Sequence, residues 1–319
     1  IAQPDVNNVE SFRVLGRPRL FWGITAGNVD SQLASLTVMR KLRRDDAYTP
    51  GGKAGKRPPN ASIVYTSRAR QAFKGTKVVL GGIEASLRRF AYYDYWTDAV
   101  RRSILFDAKA DLVVFGMAEK ALEEIVARLN GGKPLEGIRG TAEIRKTLDG
   151  ISPVVLPSYE DAADKSEKGK QAFAEMTRAI FQKHRTGTSD VMAQKNGDRW
   201  LVVNPPSRPL TTAEMDGLYS LPFTRRPHPS YHGERIPAYD MIKDSITSHR
   251  GCYADCSFCA ITMHQGTGIT SRTEKNILDE ISRMAEANDF HGTISDIGGP
   301  TANMYATRCR LGKAGCAGK

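Results

Sequence analysis

Apolar positions along the chain gather into short runs that end in glycine turns, each followed by residues at helical spacing. Leu20 to Ile24 is of strand length and leads into Thr25-Ala26-Gly27, after which a run to Leu42 carries Leu33, Leu36 and Met39 on one helical face. Val78-Val79-Leu80 leads into Gly81-Gly82-Ile83-Glu84, and Leu112 to Phe115 into Gly116-Met117-Ala118-Glu119. Ala121, Leu122, Ile125, Val126 and Leu129 then form a stripe that stops at Asn130-Gly131-Gly132, a helix C-terminal signal. This alternation predicts an α/β fold, with a doubly wound, Rossmann-like parallel sheet over residues 1–132. Ligands of such sheets bind at the carboxyl ends of the strands, where these glycine turns lie.

Residues 133–209 read differently. They are mixed and polar, with a charged run from Asp161 to Lys170 and one helix around Phe173 to Phe181, and they end in Asn204-Pro205-Pro206-Ser207-Arg208-Pro209. We read them as an insertion followed by an extended, Pro-rich connection and a domain boundary. Over 210–319 a strand is expected from Met241 to Ile246. Next comes a helix opened by the capping-box spacing Ser271-Arg272-Thr273-Glu274, with Ile277, Leu278, Ile281 and Met284 on one face, and a second strand from Gly292 to Ile297 that ends at Gly298-Gly299-Pro300.

Composition narrows the class. With 319 residues, 40% apolar and 25% charged, the chain is of globular type, and no apolar run approaches the roughly 18 residues of a membrane helix. The opening Ile1-Ala2-Gln3-Pro4 has no signal-peptide pattern, so a cytoplasmic location is expected, with no membrane partner. The net charge of +11 permits nucleic acid as a partner without favouring it, because the basic groups are scattered and interleaved with acids. The aromatic and basic stretch from Arg88 to Arg102 has the residue types to stack bases or line a substrate pocket, but packing between domains is the expected role.

Of five cysteines, Cys252, Cys256 and Cys259 fall within eight residues, which is not how a disulfide framework is spaced. Arg250-Gly251-Cys252-Tyr253-Ala254-Asp255-Cys256-Ser257-Phe258-Cys259 has C-x3-C-x2-C spacing. Three thiolates on one loop suit a [4Fe–4S] cluster with one iron left open, whereas an electron-carrying cluster takes four. Structural zinc is the alternative and needs a fourth ligand, for which His249, His264, Cys309 and Cys316 are formally available.

The spacing, with Phe258 in its aromatic slot and Gly298-Gly299-Pro300 after the next strand, resembles the signature of radical S-adenosylmethionine (SAM) proteins. The segments Arg250 to Gly266, Gly298 to Met304, Gly81 to Arg89, Tyr93 to Trp96 and Leu221 to Thr224 are similar to the YgiQ-type members. The resemblance implies that residues 210–319 begin a radical SAM (βα) partial TIM-type barrel, and that Cys252, Cys256 and Cys259 hold the cluster. SAM would chelate the open iron and be cleaved by one electron to a 5′-deoxyadenosyl radical acting on an unknown substrate. It further implies a reducing donor of flavodoxin or ferredoxin type, packing of Phe258 near adenine, and approach of the Gly298, Gly299 and Pro300 segment to SAM. His264 is a weaker candidate contact, and Cys309 and Cys316 are expected to be free thiols. The cobalt-binding pattern Asp-x-His-x-x-Gly is absent, which argues against cobalamin. Only 60 residues follow Cys259, so a barrel truncated here and a chain shortened at both ends are expected. An RNA-modifying radical SAM enzyme and a non-enzymatic iron–sulfur or zinc protein are the alternatives.

Overall fold

The computed structural model describes residues 3–186, 190–254, 256–287, 289–299 and 303–308. Two units are present: Pro4–Arg43 with Gly55–Arg208, and Ile1–Gln3 with Arg44–Ala54 and Pro209–Lys319.

The larger unit is organised around the uninterrupted apolar run Val78-Val79-Leu80. In order, its first elements are β1 (Phe21–Thr25), α1 (Ser31–Ser35), α2 (Ala61–Ala72), β2 (Lys77–Gly81), α3 (Gly82–Leu87), the hairpin β3 (Tyr92–Asp94) and β4 (Ala99–Arg101), α4 (Ile104–Asp107), β5 (Leu112–Val114) and α5 (Glu119–Asn130). Strands β1, β2 and β5 are parallel neighbours. Because both faces are covered, successive residues of β2 serve different cores: Val78 and Leu80 join the cluster with Ala61, Tyr65 and Ala69 of α2, whereas Val79 joins Leu112, Val114 and Ile125 under α5. The expected α/β class and the strands at 20–24, 78–80 and 112–115 are therefore present, as is the helix ending at Gly131.

Beyond β5, past the expected parallel region of residues 1–132, the sheet becomes mixed. The next elements are β6 (Thr141–Arg145), β7 (Val154–Leu156), α6 (Tyr159–Ala163), α7 (Glu167–Thr186), β8 (Met192–Asn196) and β9 (Arg199–Val203). They extend the sheet to seven strands in the order β1-β2-β5-β6-β9-β8-β7. Pairs β5-β6, β6-β9 and β8-β9 are antiparallel and β7-β8 is parallel. Residues 133–209 are thus not a separate insertion: they contribute four strands, and Ala142, Leu201 and Val203 lie in the same core as Leu80. The expected long helix up to Leu42 is also absent. Helix α1 ends at Ser35, and the chain folds back so that Leu36 bridges Leu42, with Arg40 at a φ of 60°. Leu33 and Met39 of the expected stripe are exposed, so no core holds that face in a helix.

A buried carboxylate ties the amino ends of two helices to a third. Glu84 of α3 is fully buried and accepts from the backbone N–H of Ser31 at 2.9 Å, from the Ser31 hydroxyl, and from the backbone N–H of Ser62 at 3.1 Å. Those N–H groups belong to the first turns of α1 and α2, where backbone donors lack helical partners and the helix dipole favours negative charge. Arg88 lies 4.0 Å from Glu84 and donates to Asp30 at 2.6 Å, Gln32 at 2.5 Å and Asn60 at 2.8 Å.

The smaller unit contains α8 (Thr212–Tyr219), α9 (Pro237–Ile242), β10 (Ser245–Thr247), β11 (His249–Arg250), α10 (Ile261–Gln265), β12 (Thr270–Ser271), α11 (Glu274–Ala285) and β13 (Asp296–Gly298). Strands β10 and β13 are parallel with α11 between them in sequence, the expected strand–helix–strand unit. Ile246, Ile277 and Met284 form its core. Three local expectations shift. Met241 belongs to α9, which has Pro237 in its first turn, so the strand starts at Ser245. The second strand starts at Asp296 instead of Gly292. Helix α11 is capped by Thr273, whose side chain accepts from the backbone N–H of Asn276 at 3.2 Å, while Ser271 pairs in β12. The capping box present in this unit is instead Thr211 with Glu214.

Candidate functional site

The cysteine loop grows from the end of the β10–β13 pair. The Ser248 N–H continues that ladder by donating to the Gly298 carbonyl at 2.7 Å, and β11 then pairs antiparallel with β12. Gly251 has a φ of 90°, and a Cβ there would lie 2.0 Å from the Gly268 carbonyl oxygen, so only glycine permits the crossing of these two backbones. Just beyond it the loop is stapled: Gly251 N–H donates to the Gln265 side chain at 3.0 Å and Cys252 N–H to the Gly266 carbonyl at 3.1 Å. Gln265 and Gly266 therefore support the first cysteine, and His264 lies just before them in the last turn of α10.

Cys252 is buried, Cys259 half-buried and Cys256 exposed, and all three are free thiols. The Cys259 N–H donates to the Cys256 carbonyl at 3.0 Å, which closes a turn between them. Phe258, on that turn, is 90% exposed. Among the described residues, no group of three or more His, Cys, Asp and Glu side chains is gathered into a metal-binding arrangement. The donor set itself, three thiols in one loop with no disulfide among them, has the chemistry that an iron–sulfur cluster requires. Cys309, Cys316 and Pro300 lie outside the described residues.

Beside this loop lies a histidine whose place sequence alone did not indicate. His249 is fully buried; its Nδ1 lies 3.0 Å from the Ser248 hydroxyl, and its Nε2 accepts from the Met304 N–H at 3.4 Å. Burial lowers its pKa and favours the neutral ring. The ring occupies the space a side chain at Gly299 would need, since a Cβ there would lie 2.3 Å from Nε2. The fold thus supplies its own reason for Gly299, whereas a Cβ at Gly298 would meet only the Asp296 carboxylate, at 3.2 Å. Gly299→Ala is expected to displace the ring and cost about 1–3 kcal/mol in urea unfolding. Adding His249→Ala should recover part of that loss; an unchanged cost in the double variant would mean the ring is not the obstacle.

Arg272, also unflagged by the sequence pattern, is fully buried and binds Glu280 at 2.5 Å, the Asn276 side chain at 2.7 Å and the Thr247 carbonyl at 2.8 Å. Glu280 is bound from its other side by Arg225. Arg272 and Arg250 both stack on Tyr219, at 4.4 and 5.2 Å from its ring centre. A separate cavity of about 350 Å³, lined by Arg225, Tyr239, Lys243, Met284 and Phe290 among others, adjoins the amino end of β10, and none of the three cysteines lines it.

The aromatic and basic stretch is largely interior. Arg88, Arg89, Phe90 and Asp94 are buried, and burial pushes the Tyr92 hydroxyl up to about 12. Arg101 and Arg102 both pair with Asp107, at 3.1 and 2.6 Å. Tyr93 and Tyr95 remain exposed, so the stretch packs the larger unit rather than presenting a continuous basic and aromatic surface.

Comparison with known proteins adds family information. The family model described as Radical SAM N-terminal matches residues 1–245, ending before the cysteine loop. A UPF0313 protein of Geobacter sulfurreducens is 51% identical over 314 residues, covering 97% of this chain and 51% of that protein. The UPF0313 protein YgiQ of Escherichia coli K12 is 41% identical over 370 residues, covering 98% of this chain and 50% of that protein. The chain spans about half the length of the curated relatives it matches. A solved structure of the radical SAM methyltransferase TsrM from Kitasatospora setae, with tryptophan and a SAM analogue bound, is 16% identical with a TM-score of 0.41, covering 92% of this chain and 38% of that one. Among the described residues, no helix is long and apolar enough to cross a membrane.

Proposed function

Because the chain belongs to the Radical SAM N-terminal family and, within it, to the UPF0313 group that includes YgiQ, we propose that it is part of a radical SAM enzyme whose [4Fe–4S] cluster is held by Cys252, Cys256 and Cys259. The observation that carries this reading is the set of three free thiols on one loop beyond the carboxyl end of β10, the first strand of a strand–helix–strand unit. When bound, the cluster and SAM supply one-electron cleavage chemistry that yields a 5′-deoxyadenosyl radical. Residues 210–319 begin the core domain that carries this site.

The chain's own residues have definable tasks in this reading. Gly251, Gln265 and Gly266 fix the backbone at Cys252, while the turn carrying Cys256 and Cys259 faces solvent and is free to gather around a metal centre. Phe258 offers an exposed ring face suited to stacking on adenine. Gly298 leaves the end of β13 without a side chain, so a polar ligand group can approach its backbone. The reaction calls for a reductant of flavodoxin or ferredoxin type, a substrate, and a cytoplasmic, reducing setting that keeps the thiols unpaired. Of the alternatives, RNA modification is disfavoured by the interior placement of Arg88 and Arg89 and the pairing of Arg101 and Arg102.

Anaerobic reconstitution followed by electron paramagnetic resonance of the reduced protein, with and without SAM, tests the proposal. A [4Fe–4S] signal that changes on adding SAM is the expected result. A cluster indifferent to SAM would point to electron transfer, and bound zinc without iron would overturn the reading.

A further inference from the structure

The larger unit contains a buried arginine that, among the described residues, has no counter-charge. Arg89 retains 6% exposure, and among the described residues no carboxylate lies within ion-pair distance of it. One guanidinium nitrogen donates to the Ser86 carbonyl, but Nε has no hydrogen-bond partner. Its other close company is two aromatic rings, Phe115 at 4.7 Å and Phe90 at 5.2 Å from the guanidinium carbon. An isolated buried cation is costly, and cation–π contacts recover only part of that cost. With no acid nearby, burial alone pulls the Arg89 pKa down to about 10.

The location gives this unpaired charge a meaning. Phe115 directly follows β5, and the Gly116 N–H donates to the Ser86 hydroxyl at 3.0 Å, so Arg89 stands at the carboxyl end of the parallel strands β1, β2 and β5. In open α/β sheets that edge is where ligands bind. Acids near this edge are already committed: Glu84 to the amino ends of α1 and α2, Asp30 to Arg88, and Asp94 to Trp96 N–H and the Thr97 hydroxyl. The positive charge of Arg89 is therefore left over.

We propose that the carboxyl edge of β1, β2 and β5 binds an oxyanion, the phosphate or carboxylate group of a small molecule, with Arg89 as its counter-charge. Arginine suits this task because its planar fork of N–H donors matches both groups. The site is built from residues of the larger unit and needs no cluster, so its failure and the failure of the radical SAM reading are separately visible.

The test is thermal unfolding of the full chain titrated with sodium phosphate and, separately, sodium acetate, with sodium chloride holding ionic strength constant. A saturable rise in Tm is expected for at least one anion, because a ligand that binds only the folded state stabilises it. Arg89→Met keeps the apolar stem between the rings and is expected to weaken the response at least about tenfold, as loss of a charge-assisted contact does. Lys243→Gln, outside this unit, should leave it unchanged. A response to phosphate alone assigns a phosphoryl group, and one to acetate alone a carboxylate. No response in the unmodified protein, or an equal response in Arg89→Met, would overturn the proposal. Should Arg89→Met fail to fold, Arg89→Lys replaces it, with a weakened but measurable response expected.

Discussion

Single replacement of Cys252, Cys256 or Cys259 by Ser is expected to reduce iron incorporation after anaerobic reconstitution from about four atoms per chain to near zero. A cluster with three protein ligands has no spare thiolate, so the loss of one exposes a second iron and the assembly becomes labile. The fold should survive each replacement. At Cys252 the contact that anchors the loop is the backbone N–H to the Gly266 carbonyl, which serine retains, and Cys256 and Cys259 lie on a solvent-facing turn. Iron and sulfide analysis with the visible absorption spectrum reads the result, and far-ultraviolet circular dichroism confirms folding. Replacing Cys309 or Cys316 should leave iron content unchanged; an equal loss there would reassign the ligands.

The largest expected effect on stability is at Glu84. Glu84→Ala removes the acceptor for the Ser31 and Ser62 N–H groups and for the Ser31 hydroxyl, and it takes a negative charge from beside Arg88. Breaking a buried, hydrogen-bonded charge cluster from one side costs about 3–5 kcal/mol, because the remaining groups stay buried without partners. Urea unfolding should show that loss, while Glu84→Gln, which keeps the shape and one acceptor oxygen, should lose less. A cost below about 1 kcal/mol for Glu84→Ala would mean that water replaces the carboxylate and that α1, α2 and α3 are held by their apolar contacts.

Much of the local structure could be read from residue order because its causes are local. Val78-Val79-Leu80 and Leu112-Val113-Val114 are short apolar runs with glycine turns behind them, and they form strands buried on both faces. The stripe ending at Gly131 is helical, as its spacing and cap require. Helix α2 is not legible in the residue order because its inward face is mostly alanine, Ala61, Ala69 and Ala72, which leaves Tyr65 as its one large apolar position and no stripe to see. The β8–β9 hairpin is hard to see among polar residues, although Gly197-Asp198 forms its two-residue turn: Asn196 pairs with Arg199 across it, and Gly197 has a φ of 59°. Polar residues facing the sheet's interior, such as Glu143 and Gln194, disguise the strands that hold them.

By itself the sequence determined the spacing of Cys252, Cys256 and Cys259, the aromatic slot at Phe258, the family resemblance and the α/β alternation, since each is a matter of neighbours along the chain. Tertiary structure decided that the sheet continues through residues 141–203 with mixed, mostly antiparallel pairing and that Phe258 stands exposed. It also decided that His249 fills the space behind Gly299, that Glu84 serves two helix amino ends, and that Arg89 is buried with no counter-charge among the described residues. Those outcomes depend on which remote groups share a low-dielectric interior or a few ångströms of space, and no periodicity along the chain encodes that.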